Sequence, residues 1–180
     1  MWISPETKFD SFELDEVYWF TNRKSRTKSR ANSYIMTMLS REPRQIVGFN
    51  VDKSIKSKTL QAIVDGVPFA EKYYTDGCLT YLDVVFGGKH IRNEEDKSDT
   101  HNIESSNSDL RHYVPGLARR NRCFYRSLET QRAVLAVFID AYNKYGEAKL
   151  KYRKPVKHKS KKPKHLHKYR DLPFSILDFL

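Results

Sequence analysis

Apolar and polar positions recur along most of this chain with periods that predict its elements. Phe12 to Phe20 is aromatic and apolar nearly throughout, which predicts a central strand covered on both faces. Ser33 to Ser40 and Gln45 to Val51 predict two more strands, and the short Arg41-Glu42-Pro43-Arg44 loop between them favours a hairpin. Three consecutive antiparallel strands are the expected result. Ile55, Thr59, Leu60, Ile63, Val64 and Val67 then repeat at helical spacing, with Ser54 or Ser57 available as N-cap and Gly66-Val67-Pro68 as a stop. Lys72 to Asp76 predicts a short strand ending at Gly77. A short helix through Tyr81 follows, and Gly87 to Ile91 predicts a further strand.

Beyond Asn93 to Thr100, a polar and acidic stretch that reads as a loop, the pattern becomes helical. Ile103, Leu110, Val114 and Leu117 lie on one stripe, which Pro115 should kink or divide. The longest helix is predicted from N-cap Ser127 to Gly146, with Val134, Leu135, Val137, Phe138, Ala141, Tyr142 and Tyr145 on a wide apolar face. The predicted class is α/β: a mixed sheet of three antiparallel strands, then alternating helices and strands, flanked by helices. No internal repeat is present.

Composition sharpens this picture where charge is concentrated. Residues 149–170 hold 11 of the 33 Lys and Arg and no acid, so the rest of the chain, 22 against 22, is neutral. Such a block repels itself and binds polyanions by releasing their counterions. Nucleic acid is the leading partner and an anionic lipid surface the runner-up. A second basic stretch runs from Asn22 to Arg30, and a third from Arg119 to Arg122. The expected backbone-contacting residues are Arg23, Lys24, Arg26, Lys28, Arg119, Arg120, Arg122, Lys154, Lys157, Lys159, Lys161, Lys162 and Lys164. No run of ~18 apolar residues exists, and the start lacks a signal-peptide pattern, so a membrane span and classical secretion are not expected. Cys78 and Cys123 form no Cys-x-x-Cys pair; two reduced thiols in a cytosolic protein is the expectation.

Candidate chemistry lies with acids in apolar places. Asp15 sits inside an apolar strand and Asp76 ends a strand before a glycine. A buried unpaired carboxylate costs several kcal/mol, so each should be neutralised, paired or bound to a cation. Glu104 stands about 100° around its helix from the Ile103/Leu110 stripe, at the edge of the core, and Arg111 returns to the same face two turns later. Three carboxylates suit Mg²⁺ (or Mn²⁺), and two such ions about 4 Å apart clamp the attacking and leaving oxygens of phosphoryl transfer. Spacing alone leaves alternatives open. Asp15 could pair with a Lys or Arg, Asp76 could cap the next helix, Glu104 and Arg111 could decorate a solvated face, and Glu13, Glu16 and Asp109 compete for the same roles.

Several of these pieces occur together in one family. Glu13-Leu14-Asp15-Glu16, Tyr73-Tyr74-Thr75-Asp76-Gly77 with Tyr81, Lys89-His90, and Thr100-His101-Asn102-Ile103-Glu104-Ser105-Ser106-Asn107 with Leu110-Arg111 resemble the catalytic domain of insertion-sequence-one family transposases of the InsB type. Leu117-Ala118-Arg119-Arg120 and Cys123 to Ser127 extend the likeness, which covers roughly residues 12–145. The resemblance implies a ribonuclease-H-like fold whose DDE triad uses Mg²⁺ to cut DNA at transposon ends and join the 3′-hydroxyl to a target. Carried over by position, the triad is Asp15, Asp76 and Glu104, followed by the basic Arg111. His90 and His101 are further candidates for contact with the scissile phosphate.

The resemblance also implies a cytoplasmic, nucleoid-associated homo-oligomer acting on transposon ends and target DNA. Residues 1–146 are then the catalytic domain, and 147–180 a basic C-terminal tail with an apolar end. Family members carry an N-terminal zinc-binding and helix-turn-helix region. Only 14 residues precede Asp15, so end recognition is expected from another polypeptide or a fusion, unless the chain is a remnant. Competing readings are a non-catalytic basic DNA- or RNA-binding protein and a ribonuclease-H-like nuclease without strand transfer.

Overall fold

In the computed structural model, residues 9–20, 32–93, 100–117, 125, 127–150 and 172–180 are described. Among these residues five strands form one mixed sheet: β1 (Phe9–Phe20), β2 (Asn32–Ser40), β3 (Gln45–Asp52), β4 (Ala70–Thr75) and β5 (Lys89–Arg92), in the order β3-β2-β1-β4-β5. The first three are antiparallel, whereas β4 runs parallel to both β1 and β5. Three α-helices among the described residues accompany them: α1 (Ser57–Asp65), α2 (His101–Tyr113) and α3 (Leu128–Leu150). The fold is α/β and ribonuclease-H-like, as the hydrophobic pattern and the family resemblance both implied.

β1 is central, and alternation divides its side chains between two cores. Val17 and Trp19 join Ile103, Leu110, Leu135 and Phe138 beneath α2 and α3. Phe12 and Leu14 join Leu60, Ile63, Tyr73 and Tyr81 beneath α1. Both faces are therefore covered, which is why β1 reads as nearly continuously apolar. At Gly48 a Cβ would stand 2.7 Å from Ile63 Cγ2, so the bare backbone lets α1 lie close against β3. Pro115 divides the second helical stripe as expected: α2 ends at Tyr113 and a 3-10 turn covers Pro115–Leu117. The Trp19 indole donates to the Gly116 carbonyl at 2.8 Å and ties that turn to β1.

Some boundaries differ from expectation. Lys56, with extended backbone, occupies the N-cap of α1 without a side-chain bond, in place of Ser54 or Ser57. The α3 helix does begin after Ser127, whose hydroxyl accepts from Thr130 N at 3.0 Å. It continues past Gly146 to Leu150, and Val137 on its predicted apolar face is 57% exposed. The apolar C-terminal end packs back onto the body: Ile176 is buried in the α2/α3 core, and Phe174 and Phe179 meet the ring of Tyr145 edge-on. No helix among the described residues is long and apolar enough to cross a membrane.

Candidate active site

Pairing of β1 with β4 ends at Glu13–Tyr74, so past the carboxyl end of β4 the β1 strand keeps β2 on one edge and is open on the other. Asp15 and Glu16 lie just beyond that point, and Asp76 follows the last residue of β4. Carboxylate oxygens of Asp15, Glu16 and Asp76 come within 4.8 Å of one another. In the first turn of α2, Glu104 faces the same place. Asp15, Asp76, Glu104 and Arg111 together line a cavity of about 440 Å³, with Gly77, Asn93, Thr100 and Asn107 completing its wall. At ~30 Å³ per water in the liquid, this holds on the order of ten waters, enough for hydrated cations. Glu104 is exposed, further out than the core edge that helical spacing suggested, because α2 turns it into the cavity mouth.

The supports of these acids explain their placement. Asp15 Oδ2 accepts from Asn107 Nδ2 at 2.7 Å, and Oδ1 accepts from the Glu16 backbone amide at 2.8 Å. Asn107 is 1% exposed and its Oδ1 accepts from Thr37 Oγ1 at 3.3 Å, so strand β2 sets the amide that holds Asp15. Asp76 Oδ1 accepts from Cys78 N at 2.9 Å, the local turn that an acid before Gly77 favours. The end of β4 is held from β5: Asn93 N donates to Thr75 O at 3.0 Å, and the Arg92 guanidinium donates to Gly77 O. Glu13, on the same face of β1 as Asp15, anchors the start of α2. Its carboxylate accepts from Ile103 N and Asn102 Nδ2, each at 2.8 Å, and pairs with Arg41 at 2.6 Å.

Burial pushes the Asp15 carboxyl above its ordinary range; the Glu16 amide and Asn107 oppose this, and the charges of Asp76 and Glu104 add to it. Burial raises Glu16 to about 7, against a nearby Tyr81 hydroxyl that favours ionisation, with Asp76 and Asp15 raising it further. Among the described residues no Lys or Arg lies within ion-pair distance of Asp15, Glu16 or Asp76. Oxygen-only donors, uncompensated charge and the buried, unpartnered Glu16 Oε1 fit a hard divalent cation. Oxygens that all lie within 4.8 Å of one another are near enough to hold one such cation between them.

A family model described as IS1 transposase matches residues 11–145. The chain belongs to that family. Membership makes it an insertion-sequence transposase at the family level, with DNA as substrate and divalent metal implied. No curated protein matches the chain.

The remaining sequence-derived candidates of this transposase fall into two groups. His90 Nε2 is 2.8 Å from Thr75 Oγ1 and its ring packs on Phe86, so it braces β4 and β5; His101 is exposed at the start of α2, and neither lines the cavity. Asp109 accepts from the Tyr142 hydroxyl at 3.1 Å and does not line the cavity. Arg23, Lys24, Arg26, Lys28, Arg119, Arg120, Arg122, Lys154, Lys157, Lys159, Lys161, Lys162 and Lys164 lie outside the described residues. Sequence reasoning missed the supporting roles of Asn107 and Thr37 and the cavity positions of Asn93 and Thr100. For Asn107 a signal existed: it sits three residues after Glu104 and three before Leu110, on the inward side of α2.

Proposed function

We propose that this chain carries out metal-dependent cleavage of DNA at the ends of an insertion sequence and transfer of the freed strand into target DNA. The supporting observation is the convergence of Asp15, Asp76, Glu104 and Arg111 on one cavity, from β1, the end of β4 and two turns of α2. In this reading Asp15, Asp76 and Glu104 are the DDE triad and hold Mg²⁺ or Mn²⁺. The bound metal supplies activation of an oxygen nucleophile and stabilisation of the leaving oxygen.

The chain's own residues provide position and charge. Asn107 and the Glu16 amide fix both oxygens of Asp15, leaving their remaining lone pairs toward the cavity. The turn at Cys78 fixes one oxygen of Asp76 and leaves the other to the cavity. Arg111, exposed beside Glu104, meets a non-bridging phosphate oxygen of the scissile strand. The cationic stretches 23–28, 119–122 and 154–164 add sequence-independent backbone contacts, weakened by salt. Two copies acting on paired ends fit the need to cut both, and such a protein works at the nucleoid.

The deciding experiment is Mg²⁺-dependent nicking and strand joining on plasmid DNA bearing insertion-sequence ends. Asp76→Asn is expected to abolish nicking while DNA retention changes little; unchanged nicking refutes the assignment. A basic binding protein without catalysis retains DNA equally in chelator and never cuts it. A nuclease of the same fold cuts without forming joined products.

A further inference from the structure

The three acids whose oxygens approach most closely are not the three of the proposed triad: Glu16 takes the place of Glu104. The sheet explains how. Asp15 and Glu16 point to opposite faces of β1, Asp15 toward α2 and Glu16 toward Tyr81 beneath α1. On an ordinary sheet they would be separated by the neighbouring strand. Here β4 has already ended, so Asp76 occupies the gap beside β1 and is reached from both faces. Three carboxylates thus meet around an open strand edge with no Lys or Arg at ion-pair distance among the described residues.

A second observation comes from outside the acidic cluster. Tyr81 is 0% exposed, and among the described residues its hydroxyl, though close to Glu16, makes no hydrogen bond of ordinary geometry. Of the acids around that hydroxyl Glu16 is the one it interacts with most strongly, with Asp15 and Asp76 beyond, so it borders the acidic cluster. Leaving a buried hydroxyl unmet costs about 1–3 kcal/mol. An acceptor at this point removes that cost, and so does a small rotation of Glu16 that brings one carboxylate oxygen to Tyr81 while the other turns to a cation.

We infer that Glu16 is a fourth carboxylate of the metal centre, sharing a divalent cation with Asp15 and Asp76 astride the edge of β1, and that Tyr81 is its positioning residue. This rests on the metal-holding reading of the site and adds to it a ligand that reaches the cation from the α1 side. The Tyr81 hydroxyl donates to one Glu16 oxygen, as an outer partner commonly does for a metal-bound carboxylate. Glu104, at the cavity mouth, is left to serve the second ion, on the side where DNA enters.

The test is direct binding of Mn²⁺ to the full chain, read by calorimetry and by the electron-spin signal of free Mn²⁺, without DNA. Glu16→Gln is expected to weaken the tighter Mn²⁺ site by roughly a hundredfold or more, and Tyr81→Phe by a smaller factor, about tenfold, with circular dichroism unchanged. Glu16→Asp, which keeps the charge but shortens the reach, is expected to fall between wild type and Glu16→Gln. Asp76→Asn serves as reference and should lose the site. Wild-type affinity in Glu16→Gln, with the site lost in Asp76→Asn, overturns this inference and leaves the proposed function standing. Absence of Mn²⁺ binding in the wild type overturns both.

Discussion

Glu13 and Asp15 stand two residues apart on one face of β1, and both reach toward α2, yet their surroundings differ in kind. Glu13 is 0% exposed and fully matched: a guanidinium, a side-chain amide and a backbone amide take up its carboxylate. Asp15 has two neutral donors and two acidic neighbours, and no Lys or Arg at ion-pair distance among the described residues. The first is a structural acid that fixes where α2 begins; the second is an acid held ready with its charge unanswered. Two carboxylates on one strand face can thus be told apart by what neutralises them, which burial alone does not do.

The contrast can be broken at either end. Asp15→Asn removes the charge and leaves one oxygen to accept, so either the Glu16 amide or Asn107 loses its acceptor; nicking is expected to fall by roughly 10³-fold or more with only a small change in melting temperature, and a nicking assay beside a thermal melt checks both. Glu13→Gln should do the reverse, costing about 3 kcal/mol because the charge of the ion pair with Arg41 is lost from a buried carboxylate, while nicking per folded molecule persists. Denaturant titration measures the loss.

Smaller effects sharpen the comparison. Glu16, near Asp15, Asp76 and Tyr81, holds its proton up to about pH 7 in the folded protein, against an ordinary value of 4.5. Between those limits the folded state binds more protons than the unfolded one, so stability of the chelated protein should fall as pH rises, by on the order of 2 kcal/mol, with no further loss above 7. Saturating Mg²⁺ should flatten that slope, and urea melts at pH 5 and 8, with and without metal, measure it. The smallest effect is expected at Asn107→Ala, where Asp15 keeps its charge but loses an orienting bond. About a tenfold loss of nicking with little change in Mg²⁺-free stability is the expected result.

Much of this site was legible before the fold was. Asp15 stood out as a polar break in an apolar strand, and Asp76 as an acid at a strand end before glycine. The helical stripe of Ile103 and Leu110 placed Glu104 and Arg111 on one side of α2. What stayed hidden depended on partners distant in sequence. Nothing local separates Glu13, matched by Arg41 and Asn102, from Asp15, because that distinction is made by β2 and α2 folding over the strand. Glu16 was equally opaque, since its approach to Asp76 exists only where β4 stops short of β1. Asn107 entered only as part of the family motif, though its place on the inward stripe marked it for burial.

The docked C-terminal residues, 172–180, change what holds the far end of α3. Phe174 and Phe179 meet the Tyr145 ring edge-on and Ile176 enters the core beneath α2 and α3, so the last turns of that helix are clamped by a segment distant in sequence. A truncation that removes these nine residues therefore unroofs the helix there and leaves the sheet untouched.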